Sequence, residues 1–321
     1  MSNEYKPKIS AFCLTTNSLS NGYPVMESIR SWLPVLDELI VIDGGSTDDT
    51  IKEINKIGDS KIKIICDSET LWEDDWIYSR MGKNFNRGLQ ECTGDIVIKF
   101  DIDYVLHENG TLPKYFRGSC YNFANNSSQV ALAVTRLNFV LADRYFVKSE
   151  RTLGIDRRKL EHASGVKVVF GMDTERWGFG YDFIVPKFEE NGIWFGDMIR
   201  NSGNQCVPKG GAVYNYDNVF STIEEVKRKR LKHYKAELRQ RDLKYNNASV
   251  SSGVHTYQQV CDNNDFAWEH YENMCLANLR RGQTRMAIAE HPKVIQDSLI
   301  KLSHKCQGYD FFGRAEKASY Y

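Results

Sequence analysis

Two aspartates separated by a single residue follow a short apolar segment and could together hold a divalent cation. Residues 96–100 alternate between strongly apolar and mixed positions, as in a strand with one more apolar face. Asp101 and Asp103 come at its carboxyl end, where open α/β sheets collect their ligands. Carboxylates there can hold Mg²⁺ or Mn²⁺, whose oxygen ligands include substrate phosphates. Because Asp-x-Asp is also ordinary turn chemistry, the preceding segments decide between the two interpretations.

Composition is that of an ordinary soluble globular protein. The chain has 321 residues, 41% of them hydrophobic, and a formal net charge of +0, which gives no indication of a nucleic-acid partner. Residues 1–8 lack the apolar core of a signal peptide, and no apolar run approaches the roughly 20 residues that cross a bilayer. The 8 cysteines include no Cys-x-x-Cys pair, so neither a zinc site nor a disulfide framework is indicated. These features predict a cytoplasmic protein with reduced thiols.

The first hundred residues alternate between strand and helix patterns. Compact apolar runs predict strands at residues 9–14, 38–43 and 61–66. Residues 24–33 have helical spacing, and the Gly-Ser-Thr-Asp turn at 44–49 supplies hydroxyls and acids suited to a helix start. This β-α-β-α-β order predicts a largely parallel sheet with right-handed crossovers.

A predicted helix over residues 74–91 has two distinct faces. A solvated basic surface is the plain interpretation of its polar stripe. The alternative is contact with a diphosphate held at Asp101 and Asp103, because the helix leads through Gly94 directly into that strand. The apolar stripe is Ile77, Met81, Phe85 and Leu89, and the polar stripe is Arg80, Lys83, Asn84 and Arg87.

Three motifs in this order resemble a known family. Residues 41–50, VIDGGSTDDT, are similar to the strand-Asp-Gly-Ser-Thr-Asp-x-Thr signature of family 2 glycosyltransferases with the GT-A fold. Residues 86–89, NRGL, then TGD at 93–95 and DID at 101–103, resemble the family's Asn-x-Gly helix leading into its Asp-x-Asp motif. The resemblance covers the first third of the chain well and the middle only loosely.

The resemblance implies both a fold and a reaction. The expected fold is α/β, a Rossmann-like GT-A domain with a mostly parallel sheet and helices on both faces. The expected reaction is that of a hexosyltransferase that moves a sugar with inversion from a nucleotide-diphosphate donor, a UDP-sugar, assisted by Mn²⁺ or Mg²⁺. The acceptor would be a hydroxyl of a glycan, a lipid-linked molecule or another compound. Tyr104 stands where family members commonly carry a further acid or small residue, which leaves the donor sugar open.

It also implies roles for individual residues. Asp103 is the expected direct ligand of the cation, and Asp101 would contact the ribose or reach the cation through water. A cation there would neutralise the charge that builds on the departing diphosphate. The expected nucleoside contacts are Thr15, Asn17, Asp43, Gly45 and Ser46, and the expected diphosphate contacts are Arg80, Lys83 and Arg87.

The catalytic base is less well defined by sequence. Residues 195–203 loosely resemble the family's acceptor segment, so Asp197 is the first choice, with Asp173, Glu175 and Asp182 as rivals. A surface or capping role is the alternative for each acid. Asn215 stands near the position of the family's His, and no Glu-Asp pair is present. Strands are predicted at 130–140 and 166–170, and a flexible loop over the site at the basic residues 144–159.

The last third of the chain reads as a helical extension. We predict a glycosyltransferase domain over residues 1–220, with a nucleotide-sugar half at 1–106 and an acceptor half at 107–220, and an extension at 221–321. Residues 221–241 form a strongly basic helix, either solvated against the core or in peripheral contact with an anionic glycan or the inner face of a membrane. A linker is predicted at 244–253, and further helices at 266–279 and 292–302.

Two other classes of protein remain open. A sugar-phosphate nucleotidyltransferase would share the sheet and the carboxylates, but residues 9–22 lack its Gly-rich triphosphate loop. A non-catalytic protein that binds nucleotide sugars or glycans would keep the donor site without a working base. Hydrolysis of a donor sugar that depends on Mn²⁺ would argue against the second class.

Overall fold

The computed structural model shows a mixed α/β protein built on one large sheet and one small sheet. It describes residues 5–67, 78–108, 112–125, 129–174, 181–200, 212–245, 256–269, 280–282 and 284–305. The strands are β1 (Ile9–Thr15), β2 (Glu38–Asp43), β3 (Ile62–Cys66), β4 (Ile96–Lys99), β5 (Tyr104–Leu106), β6 (Ala131–Leu141), β7 (Arg144–Asp156), β8 (Val169–Asp173), β9 (Asp182–Glu190), β10 (Ile193–Met198), β11 (Ala212–Asn215) and β12 (Thr284–Arg285). The α-helices are α1 (Val25–Trp32), α2 (Thr50–Asn55), α3 (Tyr78–Glu91), α4 (Leu112–Asn125), α5 (Ile223–Tyr245), α6 (Tyr257–Asp262) and α7 (Lys293–Lys305).

The amino-terminal half of the large sheet is parallel, as predicted. Its strands lie in the order β3-β2-β1-β4, and each neighbouring pair is parallel. The register sets Thr15 beside Asp43, so that the exits of β1 and β2 lie at the same edge. Since β4 runs alongside β1 in the same direction, its carboxyl end and Asp101 open onto that edge as well. The predicted α/β class is confirmed.

Helices cover both faces of this parallel half. On one face Trp32 of α1 stacks on Phe100, with ring centroids 4.6 Å apart. On the other face Phe85 of α3 packs edge-on against Phe12, at 6.4 Å. Apolar residues of β1 alternate between the two cores, which explains why its sequence is a continuous apolar run.

The second half of the sheet is mostly antiparallel. From β4 it continues through β7, β6, β11 and β5, and only the β6–β11 pair is parallel. The predicted strand at 130–140 is therefore confirmed as β6. Because β5 pairs with β11, the residues that follow Asp103 lie beside a strand that comes more than a hundred residues later in the chain.

The prediction of a flexible loop at residues 144–159 is wrong. Residues 144–156 are the strand β7, whose second half is buried between β4 and β6. The cations that suggested a loop satisfy helix ends instead. Arg157 donates to the carbonyl oxygen of Leu89 at the end of α3, over 2.8 Å, and Lys159 donates to that of Phe123 near the end of α4, over 2.7 Å. Such carbonyls lack intrahelical partners and attract positive charge.

The small sheet, β8 to β10, packs on α3. Phe85 of α3 contacts Phe170 of β8, with centroids 4.7 Å apart. Asn86 fixes the same strand by accepting from the N–H of Phe170 over 2.7 Å and donating to its carbonyl oxygen over 3.0 Å. In this chain the Asn of the Asn-x-Gly motif therefore fixes β8 to α3.

The carboxyl-terminal part is mainly helical where it is described. The basic stretch predicted to be helical at 221–241 is α5, and the helix predicted at 292–302 is α7. Ser298 of α7 donates to Glu27 of α1 over 2.6 Å, so α7 packs on α1. The proposed division at residue 220 stays a prediction. No helix among the described residues has the length and apolar character needed to span a bilayer.

Candidate active site

Asp101 and Asp103 face one cavity at the carboxyl edge of the parallel strands. The strand β4 ends at Lys99, and the tight turn between Asp101 and Tyr104 closes with a hydrogen bond from the Tyr104 N–H to the Asp101 carbonyl oxygen, at 2.9 Å. The cavity measures about 1000 Å³. Its lining residues are Leu14 to Ser18, Ser20, Asn21, Tyr23, Met81, Phe85, Asp101 to Asp103, Arg136, Asn215, Asp217, Glu225, Arg228 to Arg230, Lys232 and His233.

The two carboxylates have different electrostatic surroundings. Burial raises the pKa of Asp101, but the charge of Lys99, with which it forms an ion pair, and that of Arg136 bring this pKa below its ordinary value. Burial and the neighbouring charges of Asp217 and Asp101 raise the pKa of Asp103 to about 7. A cation bound beside Asp103 would offset the negative charges that raise this pKa.

The loops after β1 and β2 bring the five predicted nucleoside contacts together. Asp43 accepts from the N–H of Ser46, at 3.0 and 3.1 Å, and fixes the turn that contains Gly45 at φ 82°. The Ser46 hydroxyl accepts from the N–H of Asn17 over 2.9 Å. Asn17 in turn accepts from the N–H of Thr47 over 2.7 Å and has a left-handed backbone at φ 48°. Thr15 and Asn17 line the cavity, whereas Asp43, Gly45 and Ser46 are not among its lining residues.

The predicted diphosphate contacts on α3 are not brought to the cavity. The α3 residues that line it are apolar, Met81 and Phe85, and Arg80, Lys83 and Arg87 are not among its lining residues. Arg87 lies 3.7 Å from Asp67 in a partly exposed ion pair. Residues three or four apart share a helix face, and the face of 81 and 85 is the one turned to the site. A diphosphate role for the polar stripe stays a prediction.

Asp197 also lies outside the cavity. It is on β10 of the small sheet, its side chain is 59% exposed, and it forms an ion pair with Lys187 of β9. Among its rivals, Asp173 is buried and paired with Arg200, and Asp182 accepts from the N–H of Phe183 over 3.0 Å. Neither lines the cavity, and Glu175 lies outside the described residues.

The structure adds cavity residues that sequence reasoning missed. Arg136 of β6 lies beside Tyr104 and hydrogen-bonds its hydroxyl. Asp217 follows β11 and forms ion pairs with Lys229 and Arg230 of α5. The available signal for Asp217 was its place directly after an apolar strand pattern, the same context that singled out Asp43 and Asp101. Nothing in the sequence connected α5 with the carboxylates.

The two carboxylates suit a cation whose remaining ligands come from the substrate. Among the described residues, no three His, Cys, Asp or Glu side chains are grouped closely enough to hold a metal ion by themselves. Mg²⁺ is commonly held by one or two carboxylates together with substrate phosphates and water, and Asp101 and Asp103 supply this number of carboxylates at one cavity. Their hard, anionic oxygens also suit Mn²⁺.

Comparison with known families decides the identity of this region. Residues 15–119 match the model of glycosyl transferase family 2. This region is of the family 2 glycosyltransferase type. The matched residues include β2, α3, and the Asp101 and Asp103 pair, so the family and enzyme class expected from the motifs are confirmed. Comparison with curated proteins gave no significant match.

Several solved glycosyltransferase structures are similar to this chain. S. aureus TarS, residues 1–349, is 13% identical, with 98% of this chain and 90% of that chain covered and a TM-score of 0.37. The mannosyltransferase PcManGT from Pyrobaculum calidifontis, in complex with GDP-Man and Mn²⁺, is 12% identical, with 98% and 85% covered and a TM-score of 0.37. Glucosyl-3-phosphoglycerate synthase from Mycobacterium tuberculosis is 30% identical over 31% of this chain and 34% of its own, with a TM-score of 0.22. At such TM-scores, none of these likenesses assigns a donor, an acceptor or a metal to this chain.

Proposed function

We propose that this protein transfers a sugar from a nucleotide-diphosphate donor, a UDP-sugar, to an acceptor hydroxyl with inversion. The observation that carries the proposal is the position of Asp101 and Asp103 in the same cavity as Thr15 and Asn17, at the carboxyl edge of the parallel strands of a family 2 domain. The nucleoside would lie on the β1 and β2 loops and the diphosphate beside the two aspartates. The acceptor is a glycan, a lipid-linked molecule or another compound with a free hydroxyl.

Each group of residues has a separate task in this proposal. Asp43 and Ser46 hold the loop that presents Thr15 and Asn17 to the nucleoside. Asp103 would hold Mn²⁺ or Mg²⁺ directly, and Asp101 would bind the ribose or reach the ion through water. When bound, the ion would neutralise negative charge on the departing diphosphate. The buried Phe85 lines the cavity on its α3 side, and Phe12 packs against it.

Inversion requires a base that removes the proton of the attacking hydroxyl. The resemblance in the acceptor segment is the support for Asp197. Its exposed position and its ion pair with Lys187 give that role no further support. Asp217 lies in the cavity, but Lys229 and Arg230 hold the pKa of its carboxyl well below the ordinary value against the effect of burial, which makes it a weak base. Asp197 therefore remains our proposed base.

The direct test is a binding and turnover screen on the full chain. Isothermal titration with UDP, GDP, CDP and uridine, each with and without Mn²⁺, should show binding of UDP that strengthens with the ion. Incubation of UDP-sugars with the protein and Mn²⁺, without acceptor, should then release UDP slowly by hydrolysis. UDP affinity that does not depend on Mn²⁺ would contradict the proposal, and so would a failure of every nucleotide to bind.

A further inference from the structure

Tyr104 comes directly after the aspartate pair, and its backbone is held on both sides. Its N–H donates to the Asp101 carbonyl oxygen over 2.9 Å. Its carbonyl oxygen accepts from the Ser28 hydroxyl, at 2.7 Å, and from the Trp32 indole N–H, at 2.9 Å. The side chain is buried and is not among the residues that line the cavity. Tyr104 is therefore a fixed residue next to the site that does not face the substrate.

The Tyr104 hydroxyl links Arg136 to the Asp101 carboxylate. Arg136 of β6 donates to this hydroxyl, and its guanidinium carbon lies 5.4 Å from the centre of the Tyr104 ring. The hydroxyl in turn hydrogen-bonds the Asp101 carboxylate and helps to lower the pKa of Asp101. A guanidinium, a phenol and a carboxylate thus form a chain in which each hydrogen bond polarises the next. The chain restrains the Asp101 side chain from a residue outside the cavity lining.

The two aspartates differ in the charges that act on them. The Lys99 ammonium lies 2.5 Å from the Asp101 carboxylate, and Lys99 and Arg136 both stabilise its negative charge. The charges that most affect Asp103 are those of two carboxylates, with an opposing effect from Lys229. A divalent cation in direct contact with Asp101 would meet the repulsion of two neighbouring cations. Asp101 is therefore better suited to accept hydrogen bonds from uncharged groups than to hold the ion.

We infer that Tyr104 and Arg136 are positioning residues that hold the Asp101 carboxylate as the acceptor for a ribose hydroxyl of the nucleotide donor. The inference rests on the proposed function, which assigns the nucleoside to the loops after β1 and β2 and the diphosphate to the aspartates. The ribose joins these two parts of the donor, and Asp101 follows β4, the strand next to β1. A carboxylate paired with Lys99 and Tyr104 keeps capacity for a further hydroxyl, because each of its oxygens has two lone pairs.

The test compares the affinities of UDP, 2′-deoxy-UDP and 3′-deoxy-UDP for the full chain in the presence of Mn²⁺. The wild type should bind at least one deoxy analogue about tenfold more weakly than UDP, because a hydrogen bond to a charged group is lost. Tyr104→Phe should reduce this ratio to about threefold or less by weakening UDP, and Arg136→Met should reduce it in the same way. Asp101→Asn should also reduce the ratio, and Tyr104→Phe added to Asp101→Asn should have no further effect on it.

Tyr121→Phe is the matched control for Tyr104→Phe. The Tyr121 hydroxyl accepts from Arg117 Nε over 2.8 Å, and the guanidinium carbon lies 5.6 Å from the ring centre. This second Arg–Tyr pair is on α4, outside the cavity lining, so its loss should leave the ratio as in the wild type. A role of Tyr104 in stability alone would lower the affinities for all three nucleotides together and would leave their ratio unchanged.

Three outcomes overturn the inference while UDP still binds with Mn²⁺. Equal affinities of the wild type for UDP and both deoxy analogues would exclude Asp101 as a ribose acceptor. An unchanged ratio in both Tyr104→Phe and Arg136→Met would exclude the positioning role. Loss of the Mn²⁺ dependence of UDP binding in Tyr104→Phe, with an unchanged ratio, would assign Asp101 to the cation. Failure of the wild type to bind UDP at all would instead overturn the proposed function together with the inference.

Discussion

The backbone N–H of Tyr216 donates a hydrogen bond to the carbonyl oxygen of Asp103, at 3.1 Å. This contact joins the end of β11 to the turn that carries the aspartate pair, and it brings Asp217 close enough for its charge to raise the pKa of Asp103. Through Asp217 the same contact extends to Lys229 and Arg230. Direct contacts therefore link the aspartate turn to residues of α5 that lie more than a hundred positions later in the sequence.

Replacing Asp103 should separate cation binding from folding. Asp103→Asn removes the negative charge that the neighbouring Asp217 and Asp101 disfavour, so thermal stability without metal should not fall. The Mn²⁺-dependent part of UDP affinity should fall about tenfold or more, because the site loses a charged oxygen ligand. Titrations of UDP with and without Mn²⁺ measure this difference. Asp49→Asn, at an exposed surface ion pair with Lys52, is the control, and an unchanged Mn²⁺ dependence in Asp103→Asn would exclude Asp103 as a ligand.

Replacing Asp43 should weaken binding of the nucleoside rather than binding of the phosphates. Asp43→Ala leaves the Ser46 N–H without its acceptor and loosens the loop that positions Asn17, which should cost about 1–2 kcal/mol of unfolding free energy. Affinities for UDP and for free uridine should fall by the same factor, since the loop that Asp43 fixes is the one proposed to hold the nucleoside. Parallel titrations with both ligands measure this, and an effect confined to UDP would contradict the placement.

The family motif on α3 contains a glycine whose role can be tested by packing. A Cβ at Gly88 would lie 2.6 Å from Phe12 Cδ2 in the core beneath the site. Gly88→Ala should therefore destabilise the protein by about 1–3 kcal/mol in a denaturant titration. Gly118 of α4 has no atom within 4 Å of its would-be Cβ, so Gly118→Ala should be neutral or stabilise by up to about 1 kcal/mol. Equal effects of the two substitutions would show that packing at Phe12 is not the cause.

Sequence reasoning succeeded where neighbouring segments determine the structure. The strands β1 and β2 are continuous apolar runs because both faces are buried, and the direction that they share with β4 places Thr15, Asn17, Asp101 and Asp103 at one edge. It failed where the partner lies far away in the chain. Arg157 and Lys159, which follow β7, were included in a predicted loop because their acceptors, carbonyls at the ends of α3 and α4, cannot be identified from sequence.

Distance along the sequence also explains why Arg136 and the α5 residues were not predicted to line the cavity. Arg136 reaches the site from β6, and the cations of α5 reach it only because β11 pairs with β5 and Asp217 follows. A basic helix without a known neighbour is indistinguishable from a solvated one. The identity of its partner depends on strand pairings between distant segments, which no local pattern specifies.

Stability of the carboxyl-terminal part should depend on pH through His291. This side chain is buried against Phe139 and is hydrogen-bonded to the Tyr216 hydroxyl at 2.7 Å. Burial lowers its pKa from 6.5 to about 4, so the unfolded chain binds the proton more readily than the folded one. Stability is then complete above pH 6.5 and falls as the pH drops towards 4, by about 3 kcal/mol in all.

Urea unfolding at several pH values between 4 and 7 measures the contribution of His291. His291→Gln should flatten the pH dependence in this window, whereas His162→Gln, at an exposed position, should leave it as in the wild type. If His291→Gln keeps the full wild-type slope, another group is responsible.

The stereochemistry of the reaction and the identity of its base can be tested together. In a single displacement the acceptor hydroxyl attacks opposite the diphosphate, so an α-linked donor should give a β-linked product, which NMR of the new linkage detects. If Asp197 is the base, Asp197→Asn should abolish transfer and leave UDP affinity unchanged, because the side chain lies apart from the donor loops. Lys187→Gln, which removes only the partner of Asp197, is the matched control and should retain transfer. A retained α-linkage would exclude inversion, and full activity of Asp197→Asn would move the base to one of the rival acids, Asp173, Glu175 or Asp182.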